Sequence, residues 1–152
     1  MGGYGALRNG LKYCDTFGYI VALSSALVVE ELPSRTNESL MFMERRDYAE
    51  SMFGDLDKVI ESDKNPKYLV EQIIKEGKEM PKIYMACGED DSLLGVNKDM
   101  YAFLKAHDVD VTFEVGPGAH EWDFWDTYLK KAIDWLPVEV KVYAWNSGNV
   151  GI

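Results

Sequence analysis

Apolar positions along this chain change period several times, and each change marks a predicted element. Residues 2–13 place Ala6 and Gly10, and Leu7 and Leu11, four residues apart, a narrow face that predicts a helix. Three glycines in its first turn, Gly2, Gly3 and Gly5, are poor helix formers. They make sense where a tight turn brings the helix end against another backbone. Residues 19–23 form an unbroken apolar run, Tyr-Ile-Val-Ala-Leu, ending at Ser24 and Ser25. The missing alternation predicts a parallel strand covered on both faces.

Between residues 30 and 65 the pattern weakens. Residues 45–53 are read as a helix broken by Gly54 and Asp55, and Pro66 opens another that stops at Gly77. The charged stretch as a whole is expected to be a connection packed over the sheet edge. The second half is clearer. Residues 82–87 predict a strand, 97–106 a helix presenting Met100, Phe103 and Leu104, and 109–115 another strand. Over 121–136, Trp122, Trp125, Leu129, Ile133 and Leu136 recur at helical spacing and predict a strongly amphipathic helix ended by Pro137. A last strand is read over 138–145. Strands alternating with helices predict an α/β domain with a mainly parallel sheet.

A chain of 152 residues is expected to form one domain spanning 1–152. Its formal charge of -10, with dispersed lysines and arginines, argues against a phosphate backbone or an anionic membrane as partner. No apolar run reaches transmembrane length. Cys14 and Cys87 lie far apart and are read as reduced. With only His107 and His120 beside them, ligands for a structural zinc are scarce, and no metal or cofactor is expected.

Polar residues just beyond the carboxyl ends of parallel strands occupy the crevice where ligands bind. Two loops fall there: Gly88-Glu89-Asp90-Asp91-Ser92 and Gly116-Pro117-Gly118-Ala119-His120. One helix and one strand separate them, so neighbouring strand ends bring Asp91 or Asp90 within reach of His120. The acidic cluster is also compatible with a helix start. His107 is read as a surface residue. The glycines at 2, 3 and 5 lack the lysine of a phosphate-binding loop and the spacing of a dinucleotide fingerprint. Ser24 and Ser25 are the local candidates for a nucleophile, with no strained turn predicted around them.

Three segments carry a resemblance. Met1-Gly2-Gly3-Tyr4-Gly5-Ala6 resembles the residues directly after the nucleophilic serine in the elbow of esterase D-like α/β-hydrolases, the group of tributyrin esterases, feruloyl esterases and S-formylglutathione hydrolases. The stretch 87–94 resembles that family's acid loop, and 118–125 its histidine loop and the helix after it. The likeness covers 1–137. It implies a partial α/β-hydrolase fold that lacks its N-terminal strands. It further implies His120 as base, Asp91 as acid, Gly2, Gly3 and Gly5 as an elbow remnant, and the Met1 nitrogen as an oxyanion-hole donor once a residue precedes it. The serine itself would stand immediately before Met1.

The expected activity is therefore carboxylic ester hydrolysis by the completed protein, on acyl, acetyl or feruloyl esters, with the chain alone inactive. The other expectation is a non-catalytic truncated domain. Uncovered strand edges and apolar faces lead to self-association or pairing with an N-terminal fragment. A cytoplasmic location is favoured, although any signal peptide would have stood in the missing front.

Overall fold

The computed structural model describes residues 1–138. Helix α1 (Gly2–Lys12) leads to strand β1 (Tyr19–Leu23), then α2 (Arg46–Phe53), α3 (Pro66–Glu76), β2 (Lys82–Gly88), α4 (Leu94–Ala106), β3 (Val111–Gly116) and α5 (Trp122–Trp135). Among the described residues the sheet has the order β1-β2-β3, both pairings parallel. The strand read over 138–145 lies outside the described residues.

Side chains alternate across a strand, so this sheet sorts its apolar residues into two cores. Ile20, Ala22, Ile83 and Met85 join Leu7 and Leu11 of α1, Val70 and Ile73 of α3, and Met100 and Leu104 of α4. Tyr84 and Ala86 face the other way, against Phe124, Tyr128 and Ala132 of α5. β2 is covered on both sides and buried from Ile83 to Gly88, which is why its sequence shows no alternation. Local chemistry sets the ends of α3. The Asn65 side chain caps the Lys67 N–H at 3.1 Å, Pro66 occupies the first turn, and Gly77 closes the helix at φ 64°.

Three expectations need correction. The segment 30–65 does not lie over the sheet edge. Val29, Leu32, Ala49, Phe53, Leu56 and Val59 form their own small core on Tyr4 of α1, a cluster with no strand residue in it. Helix α4 starts at Leu94 rather than residue 97, because the Asp91 carbonyl accepts the Leu94 N–H at 2.9 Å and outweighs the poor propensity of Gly95. Of the stripe that makes α5 amphipathic, Trp125 packs against the sheet-side core while most of the rest faces outward. Trp122 is 81% exposed, Leu129 49% and Ile133 50%, whereas Phe124, Tyr128 and Ala132 are buried. This helix is apolar on more than one face, and period alone cannot choose which face meets the sheet.

Candidate active site

β2 and β3 are neighbours in register, with Gly88 beside Gly116. The loops that leave them are laced together. Glu89 N–H donates to the Gly116 carbonyl at 2.9 Å, and Asp90 N–H to the Gly118 carbonyl at 3.1 Å. Gly88 permits this approach, since a Cβ there would run into the Gly118 carbonyl.

The lacing brings Asp91 to His120. Nδ1 of His120 lies 3.0 Å from Asp91 Oδ2, while Asp91 Oδ1 accepts the Leu93 N–H at 2.9 Å. The Asp91 side chain is fully buried and that of His120 is 44% exposed. Of the two acids weighed from sequence, Asp91 makes this contact and Asp90 is exposed. An ionised carboxylate only accepts, so Nδ1 carries the proton and the neutral ring presents a bare Nε2. His107 is elsewhere, its Nδ1 on the Phe103 carbonyl at 2.9 Å.

Burial pushes the Asp91 carboxyl up, but the Leu93 N–H, the Ser24 hydroxyl and His120 outweigh it and hold the group below its ordinary 3.8. A carboxyl depressed by folding contributes stability that is present above its unfolded value and lost as pH falls through the folded one. Stability should therefore drop as pH falls below about 4. Asp91→Asn should be less stable than the wild type at pH 7 and lose less of its stability between pH 7 and pH 3. Urea unfolding at both pH values checks this, and equal losses in the two proteins would refute it. Burial, and then Asp91 beside it, push the Cys87 thiol up to about 11, so it is a neutral core group at pH 7. Cys14 and Cys87 are both free.

His120 lines a cleft of about 510 Å³ together with Met1, Gly3, Leu23, Trp122 and Leu129. Met1 is the N-cap of α1, so the helix N-terminus opens on the same space. Gly3 is needed there, since a Cβ would strike the Leu23 carbonyl and Ser25. Gly2 and Gly5 have open space beside them. Among the described residues, no three His, Cys, Asp or Glu side chains converge as a metal site, and no helix is long and apolar enough to cross a membrane.

Three residues around the pair were not assigned this place from sequence. Ser24 is 2% exposed, and its Oγ accepts the Trp125 indole N–H at 3.0 Å. Trp125 stands edge-on to His120, ring centres 4.9 Å apart. Asn97, fully buried, accepts the Ser25 N–H and donates to the Ser25 and Leu93 carbonyls at 2.9 and 2.8 Å, tying the β1 end to the acid loop. Its signal in the sequence is a polar side chain three and seven residues before Met100 and Leu104, on the buried face of α4.

No family model matches the chain. An acetyl esterase of Caldicellulosiruptor saccharolyticus is 45% identical over 136 residues, which are 90% of this chain and 51% of that protein. An S-formylglutathione hydrolase of Staphylococcus aureus superposes with a TM-score of 0.72 at 32% identity, over 89% of this chain and 50% of the other. The chain matches half of an esterase D-like α/β-hydrolase. A fluorophosphonate-binding serine hydrolase of the same bacterium is also similar to the chain, at 31% identity and TM-score 0.73, with 88% of the chain and 50% of the other covered. The chain spans about half the length of each of these relatives.

Proposed function

We propose that this chain supplies the base and acid of a serine carboxylesterase. The observation that carries the reading is the 3.0 Å contact between His120 Nδ1 and a buried Asp91 carboxylate, with His120 and Met1 lining one cleft. The nucleophilic serine is the residue preceding Met1 in the whole protein. Its hydroxyl attacks the ester carbonyl as Nε2 of His120 takes its proton, and Asp91 stabilises the imidazolium. The amide N–H of Met1 holds the developing oxyanion, and Gly2, Gly3 and Gly5 form the turn behind it. Collapse of the tetrahedral species expels the alcohol, which takes the proton from His120. Water then repeats the cycle on the acyl-enzyme and releases the acid.

Neither local serine replaces that nucleophile. The Ser24 hydroxyl is engaged with Trp125, and Ser25 Oγ is buried with no hydrogen-bond partner among the described residues. Similarity to an acetyl esterase supports short acyl esters as the substrate class. The exposed Trp122, Leu129 and Ile133, with the side of β1 that pairs with no strand among the described residues, form the surface that the remainder of the protein covers. An isolated chain meets a second copy there.

The 152-residue chain alone should hydrolyse no p-nitrophenyl acetate above background, take up no fluorophosphonate probe and elute as an oligomer by light scattering. Joined to a preceding segment ending in Gly-x-Ser, it should gain esterase activity. A completed protein that leaves p-nitrophenyl acetate and butyrate intact would end this reading. Labelling of the isolated chain at Ser24 or Ser25 would replace it with a local nucleophile.

A further inference from the structure

Ser24 ends β1 in a backbone conformation that side chains rarely adopt. Its φ is 45°, in the left-handed region where a non-glycine residue is uncommon and points to a functional constraint. Its N–H donates to the Ala86 carbonyl at 2.8 Å, so the ladder between β1 and β2 holds the residue up to this point. The turn leaves the hydroxyl in the interior, where Oγ accepts the Trp125 Nε1–H. A hydroxyl has one proton and two lone pairs. With one lone pair on Trp125, the hydroxyl is committed as the acceptor for this indole. Trp125 in turn presents its ring edge-on to His120 at an interplanar angle of 87°.

We infer that Ser24 is a positioning residue for the His120–Asp91 pair: its buried hydroxyl holds the Trp125 indole against the His120 ring. The imidazole is then held between Asp91 at Nδ1 and a Trp125 ring that Ser24 fixes. Loss of either contact loosens the Nδ1–H bond. The importance of the clamp for turnover rests on the reading of His120 and Asp91 as base and acid, whereas the clamp itself does not.

The chain has two histidines, so imidazole proton–nitrogen spectra give two ring signals, with His107 as internal reference. In the wild-type chain the His120 Nδ1–H should be visible and slow to exchange. Ser24→Ala should speed its exchange by about tenfold while His107 is unchanged. Trp125→Phe keeps an aromatic ring beside His120 and removes the donor, and should speed exchange as well. The double variant should go no further than the larger single effect, as expected of one linked unit. Ser24→Gly relieves the backbone without restoring the hydroxyl, and should behave as Ser24→Ala does. Wild-type exchange in Ser24→Gly, or in folded Ser24→Ala and Trp125→Phe, would overturn the assignment. If Ser24→Ala does not fold, the other two variants decide. A completed protein without esterase activity, but with these exchange rates, would leave the clamp standing.

Discussion

Under the proposed mechanism, His120→Ala in the completed protein should lower kcat for p-nitrophenyl acetate by about 10⁴-fold or more, with KM within a few-fold of wild type. The serine hydroxyl is a poor nucleophile until its proton has somewhere to go, and His120 is the imidazole on the cleft. A change in kcat without a change in KM marks an interaction made in the transition state. Asp91→Asn should cost a comparable factor, about 10⁴-fold, because an amide on Nδ1 no longer selects the tautomer with a bare Nε2. Two controls separate chemistry from general damage. His107→Ala changes a ring bonded to the Phe103 carbonyl, and Asp90→Ala an exposed acid, so both should stay within a few-fold of wild type. Activity within tenfold of wild type in His120→Ala would remove this residue from the mechanism.

Gly88→Ala should cost about 3 kcal/mol of stability and most of the activity. The new Cβ meets the carbonyl of Gly118, its carbon at 2.7 Å and the Ala119 nitrogen at 3.2 Å, all backbone atoms that cannot rotate aside. Relief requires the two loops to part, which breaks the bonds from Glu89 to Gly116 and from Asp90 to Gly118 that bring Asp91 to His120. Gly5→Ala is the contrast. It has open space and a helical position, so it should gain about 0.5–1 kcal/mol. Chemical unfolding of the two variants reads both effects. A Gly88→Ala protein as stable as the wild type would mean that the loops do not depend on this close approach.

Much of this was legible in the residue pattern because the responsible interactions are local. The run at 19–23, the Asn65-Pro66 start and Gly77 stop of α3, and the polar loops after two apolar strands carry their signals within a few neighbours. The two loops could be paired because neighbouring parallel strands leave their carboxyl ends on one side. Spacing alone left Asp90 and Asp91 open, since both are loop carboxylates and the backbone path decides which one turns inward. The resemblance of 87–94 to the family's acid loop is what pointed to Asp91, which makes the contact. The buried face of α5 was not legible. Trp122, Leu129 and Ile133 keep helical spacing, yet the sheet takes Phe124, Tyr128 and Ala132.

By itself the sequence determined the α/β class, the order of its elements and the loops that hold Asp91 and His120. Each of these depends on periodicity, turn chemistry or recognisable motifs. Tertiary structure alone decided that Ser24 and Asn97 lie beside the Asp91–His120 pair, that Trp125 packs against His120, and that Gly3 and Gly88 are required by contact. Those facts depend on atoms brought together from distant positions, such as Gly3 on Ser25 and Ser24 on Trp125, and no local pattern records such pairings.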